Sequence, residues 1–211
     1  MNKNKGEGDT WKEIEGWLDE KEQGSVVYVA FGSEAEWSEA ELAEIAVGLE
    51  LSGLPFFWVL RARPNSEAHL PEGFQERVGR RGYICRSWAP QVKILAHVSV
   101  GVFLNHSGWS SAMESLVFSK PLVLLPFYND QELNLKVLEE RKMGFAVPRD
   151  ENDMSFTRDA VAESLRMVAR GEEGKVYRDK AKEASAMLGD REVQNKYLDD
   201  FLCVLYNESR D

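Results

Sequence analysis

Six short apolar runs alternate with helical segments, and this alternation limits the possible folds more than any other feature. The runs are Ser25–Phe31 (SVVYVAF), Pro55–Leu60 (PFFWVL), Gly82–Arg86, Val98–Leu104, Pro121–Leu125 and Gly144–Val147. They are apolar throughout rather than alternating, which is the pattern of strands buried on both faces. The segments between them read as helices over Ser38–Leu51, Val92–Ala96, Trp109–Phe118 and Asp130–Lys142. Ser38 with Glu41 forms a capping box, Gly53 stops that helix, and Gly144 is expected to stop the helix from Asp130. Ahead of the first strand, Trp11, Ile14, Trp17 and Leu18 recur at helical spacing. Arg61–Arg80, polar with two prolines, reads as a long loop with one short helical turn. Helices over Thr157–Arg170, Val176–Met187 and Val193–Leu205 close the chain. Strands and helices at this spacing predict an α/β fold, a parallel sheet covered by helices on both faces. Ligands of such sheets bind beyond the carboxyl ends of the strands. Ser33, Arg86, His106 and Pro126 each follow a strand, so they are expected on that one rim. Residues 1–211 contain no internal repeat and read as one domain.

Composition excludes several function classes. The 211 residues carry a net charge of −10, and the pI is about 5.0. Nucleic acid and anionic membrane surfaces need a basic patch, so neither is an expected partner. An anionic ligand must be held by local donors. Cys85 and Cys203 give no disulfide framework, and their apolar surroundings predict buried, reduced thiols. The charged N-terminus does not read as a signal peptide, and no run approaches the roughly 18 apolar residues of a membrane span. A cytoplasmic protein is expected. The run Asp150-Glu151-Asn152-Asp153 reads as a solvated loop rather than a metal site. His69 and His97 lack ligand partners at useful spacing, and no GxGxxG, P-loop or zinc pattern is present.

The chemistry concentrates between Trp88 and Gln131, in WAPQVKILAHVSVGVFLNHSGWSSAMESLVFSKPLVLLPFYNDQ. An indole at Trp88, just after a strand, suits stacking on a flat base. Alone it would more often be a rim or core aromatic, and its motif reverses that balance. His106 ends a strand, and Ser107-Gly108 leads into the helix from Trp109. A helix N-terminus offers open N–H groups to a phosphate, Gly108 permits close approach, and Ser110 and Ser111 add hydroxyls. Glu114 shares a helical face with Ser110, and its carboxylate can accept from two ribose hydroxyls. Its alternative is an ordinary solvated charge. Asp130 and Gln131 open the next helix and could meet sugar hydroxyls, although Asp130 would also serve as an N-cap.

This segment resembles the donor-binding signature of the plant family-1 UDP-sugar-dependent glycosyltransferases. About a dozen positions agree at fixed spacing, far more specific than a short glycine pattern. The resemblance implies the C-terminal half of a GT-B enzyme, a Rossmann-like domain. It implies that Trp88 lines the uracil, the Ala89 backbone reads its edge, and Gln91 and Glu114 hold the ribose. His106, Gly108, Ser110 and Ser111 would take the diphosphate, with Ser33 nearby. Asp130 and Gln131 would take the sugar, and Trp109 and Tyr128 complete the implied set. Two positions depart from the family pattern. Ser110 replaces Asn, and Ser119 replaces Gly. The Gly-Trp-Ser-Ser variant is similar to a subgroup that extends sugars already present on a glycoside, some of whose members use UDP-rhamnose.

The family's acceptor-binding domain, with its catalytic His and Asp partner, has no counterpart among these residues. The chain is therefore expected to be the donor-binding half alone. Residues 1–22 would be the lead from the other domain, and 193–206 a helix crossing back to it. The implied reaction is inverting transfer to a hydroxyl of a small plant metabolite or its glycoside, with UDP-sugar as donor and no metal or other cofactor. Two other readings stand beside it. One is a natural donor-binding subunit that completes its site with a separate chain. The other is a dinucleotide oxidoreductase, which the absent glycine fingerprint argues against.

Overall fold

A computed structural model describes residues 7–32, 37–61, 69–127 and 129–208. Ser33 and Tyr128 of the implied set lie outside the described residues, as does most of the loop expected after Arg61. The elements are α1 (Glu7–Asp19), β1 (Val26–Ala30), α2 (Glu39–Ser52), β2 (Phe56–Val59), α3 (Phe74–Val78) and β3 (Gly82–Cys85). There follow α4 (Gln91–Ala96), β4 (Val100–Asn105), α5 (Trp109–Val117), β5 (Leu122–Leu124), α6 (Asn129–Glu140) and β6 (Gly144–Ala146). The chain closes with α7 (Arg158–Arg170), α8 (Lys175–Gly189) and α9 (Arg191–Glu208).

All six strands are parallel, in the order β3-β2-β1-β4-β5-β6. Every residue of β1 is buried, because side chains alternate between two covered faces. Val27, Val29, Phe56, Trp58, Val102 and Leu104 face one core with Ile45 and Leu49 of α2 and Val161 and Leu165 of α7. Val26, Tyr28, Phe57 and Phe103 face the other, with Ile14 of α1, Ile94 of α4, Leu116 of α5, Leu138 of α6 and Ala181 of α8. This double burial is why the strands read as continuous apolar runs.

Local signals account for most boundaries. Ser38 and Glu41 form the capping box, and Gly53 ends α2 in the left-handed region. Thr157 caps α7 through Ala160 N. Two expectations fail. Gly144 does not stop α6; the helix ends at Glu140, Lys142 makes the turn at φ 56°, and Gly144 starts β6. It is needed there for closeness, since a Cβ would stand 2.6 Å from Leu124 Cδ1. Cys203 is exposed, unlike Cys85, because the α9 turns around it are exposed among the described residues.

Candidate functional site

The strand order reverses between β1 and β4, and the loops leaving these two strands stand side by side on the carboxyl rim. Gly32 follows β1 and His106 follows β4, and the imidazole packs between two glycines. A Cβ on Gly32 would lie 3.1 Å from His106 Cε1, and one on Gly108 would lie 2.6 Å from Nε2. The turn beneath the ring is held by buried polar groups. Asn105 Oδ1 accepts from Ser107 N at 2.7 Å, with Ser107 at φ 64°, and Asn134 Nδ2 of α6 donates to Ser107 O at 3.1 Å. Gly108 is the N-cap of α5 and supplies no side-chain cap, so the first N–H groups of the helix are left for another acceptor.

A cavity of about 450 Å³ opens beside this turn. Its lining includes Trp88, Ala89, Pro90 and Gln91 after β3, Arg61 after β2, Tyr28 and Gly32 of the β1 segment, and Glu114 of α5. Trp88 is 51% exposed, an indole plate with an open face. At the floor, Gln91 Nε2 donates to Glu114 Oε2 at 2.8 Å and to Ser111 Oγ at 3.1 Å. Tyr28 Oη donates to Gln91 Oε1 at 3.3 Å. Burial, reinforced by Cys85 and Glu114 and opposed by Arg61, holds the Tyr28 phenol well above its usual range, so it remains a neutral donor.

The predicted residues are therefore drawn together unevenly. Trp88, Ala89, Gln91 and Glu114 line the cavity, and Ser111 joins them through Gln91. Ser111 rather than Ser110 shares the amide with Glu114; Ser110 is exposed. Trp109 lines a separate apolar hollow with Met113, Val137 and Met187. Asp130 is exposed in the first turn of α6, which begins at Asn129, so it is not the N-cap. Gln131 Oε1 accepts from Phe127 N at 2.8 Å, which ties it to the loop after β5. That loop is pinned by Arg149. The guanidinium lies 5.4 Å from the Phe127 and Phe156 rings and donates to Pro126 O and Met154 O. Tyr28, Asn105, Asn134 and Arg149 were missed in the sequence reading. The one available signal was a polar tip inside an apolar strand, which must find a partner once buried.

A parallel sheet in this order, with an uncapped helix N-terminus at its reversal point, defines a Rossmann-like domain of the nucleotide-binding type. Comparison with known proteins narrows the class. The chain belongs to the family described as UDP-glucoronosyl and UDP-glucosyl transferase, which matches it over residues 4–202. UDP-glycosyltransferase 91A1 of Arabidopsis thaliana is 50% identical over 198 residues, covering 92% of this chain and 42% of that protein. Soyasaponin III rhamnosyltransferase of Glycine max is 46% identical, covering 92% and 41%. The fold matches Phytolacca americana UGT2, solved with UDP-2fluoro-glucose and pterostilbene, at a TM-score of 0.80 and 35% identity. The match covers 90% of this chain and 43% of that one. The chain thus spans under half the length of these relatives, and its fold is the Rossmann-like half of a GT-B glycosyltransferase.

Proposed function

We propose that this chain is the UDP-sugar-binding part of an inverting glycosyltransferase that moves a hexose to a hydroxyl of a small plant metabolite or its glycoside. The observation that carries this reading is the prebuilt floor of the cavity, where Gln91, Ser111 and Glu114 share hydrogen bonds beside Trp88. In this reading Trp88 stacks on uracil, Ala89 reads its edge, and Gln91 with Glu114 takes the ribose hydroxyls. His106 and the open N–H groups of α5, with Gly108, Ser110 and Ser111, face the diphosphate. UDP gains negative charge on its β-phosphate as the sugar leaves, so donors aimed there favour the transition state over the ground state. Asp130 and Gln131, one strand further along the rim, take the sugar.

The solved complex of Phytolacca americana UGT2 with a UDP-fluoroglucose supports the donor class, and the Glycine max rhamnosyltransferase leaves rhamnose open beside glucose. The reading uses no metal and a cytoplasmic setting. Its acceptor site and catalytic base lie in a second domain, which α9 would cross to meet. The relatives carry the matching segment within single, longer chains, which does not favour a separate donor subunit.

Calorimetric titration of UDP into the chain tests this. Saturable binding, abolished in a His106→Ala, Glu114→Ala double variant, is expected, with no sugar transfer by the chain alone. Absence of UDP binding by the unaltered chain would overturn the reading.

A further inference from the structure

We infer that Tyr28 is a positioning residue: its hydroxyl turns the Gln91 amide, and through it the Glu114 carboxylate, into the orientation that accepts the vicinal diol of a ribose. This rests on the reading of the cavity as a UDP site.

The ring itself has no freedom. Tyr28 is 1% exposed, stacked on Phe103 with centroids 4.8 Å apart and planes 14° from parallel. Tyr28 lines the cavity, and its tip meets Gln91 there. Gln91 bridges from this tip to α5. Its Nε2 is committed to a carboxylate and a hydroxyl on α5, which leaves Oε1 facing Tyr28. Flipping the amide would set Oε1 against the Glu114 carboxylate, two acceptors together, so one orientation is fixed. The Tyr28 contact, at 3.3 Å, is long for an O–H···O bond, so its contribution is that of an ordinary neutral bond or less. Glu114 gives one oxygen to Gln91, while its Oε1 carries no hydrogen bond among the described residues. A carboxylate held at one oxygen and open at the other is arranged to receive hydroxyl donors.

The test compares two nucleotides on one protein. UDP and 2′,3′-dideoxy-UDP are titrated into the chain and into Tyr28→Phe. The hydroxyl's loss is expected to weaken UDP by about two- to fivefold, the lower part of the range of a single neutral hydrogen bond, and to leave the dideoxy nucleotide unchanged. Gln91→Met, which removes a ribose contact as well, is expected to weaken UDP by more than Tyr28→Phe does, and adding Tyr28→Phe to it should cost nothing more. Equal weakening of both nucleotides, or none, would make Tyr28 a packing residue and overturn the inference. So would additive losses in the double variant, or a Tyr28→Phe chain that does not fold. An unaltered chain that binds neither nucleotide would instead sink the UDP reading, and this inference with it.

Discussion

Ser119 sits at φ 59°, in the left-handed region where a side chain costs about 1–2 kcal/mol. It closes the turn between α5 and β5, and Ser119 N donates to Leu116 O at 3.0 Å. Ser119→Gly is expected to raise stability by about 1 kcal/mol, after allowing for glycine's freedom in the unfolded chain. A higher urea midpoint with an unchanged slope would register it. Gly108 gives the opposite case. Its φ of −63° suits alanine, so Gly108→Ala strains nothing except the His106 imidazole, which the new methyl would strike. If that ring serves a phosphate, UDP affinity should fall about ten- to a hundredfold, the worth of one hydrogen bond to a charged group, while thermal unfolding barely changes. The resemblance marks Ser119 as a departure from the family pattern, and its φ is one that glycine adopts without strain. The sequence marks Gly108 as a close-approach residue without showing that the neighbour is His106. Tyr28 and Asn134 were not legible, because their hydrogen-bond partners are set by strand and helix packing rather than by local spacing.

Helices α2 and α7 cover one face of the sheet together, and ion pairs join them and their neighbours. Arg158 donates to the Glu44 carboxylate through its guanidinium, and Arg77 to Glu50 at 2.7 and 2.9 Å. The hydrogen bonds from these arginines, each outweighing a smaller effect of burial, hold both carboxyls below the usual 4.5. A carboxyl depressed in the folded state contributes stability that is present above 4.5 and lost as pH falls through the folded value. Chemical denaturation at a series of pH values should therefore show stability dropping below about pH 4.5, with a shallower slope in Glu44→Gln. The effect should shrink in salt, since both pairs are partly exposed to solvent. The carboxyl end of α2 is closed from a distance. Arg81 donates to Leu49 O, Glu50 O and Leu54 O, and Arg166 to Leu51 O. The start of α2 was legible because a capping box is local. These distant caps were not, because an arginine in sequence does not say which helix end it will reach.

On the scale of the molecule, α9 touches α8 at its start and leaves most of its length exposed among the described residues. Tyr197, Leu198, Phe201, Val204 and Leu205 are all 47–65% exposed. An apolar surface of this kind marks an interface or promotes self-association. Removing residues 191–211 is expected to shift Tm by no more than about 2 °C and to reduce self-association seen by sedimentation. The sequence revealed the parallel sheet and its loaded rim, since doubly buried strands leave an unbroken apolar imprint. It did not reveal the strand order. Order is decided by which edges meet in space, and six similar apolar runs do not label their neighbours.

That order has a consequence for how the chain is made. No two strands of the sheet form a hairpin, because each ladder is parallel and must wait for an intervening crossover. The central ladder pairs Val26 with Val100. On the ribosome, β1 would emerge well before β4 and keep one edge open until α2, β2, α3, β3 and α4 have all followed. Such non-local closure places folding in the slow regime and exposes a β-branched edge for the whole wait. Refolding from denaturant should accordingly be slow and lose yield as protein concentration rises.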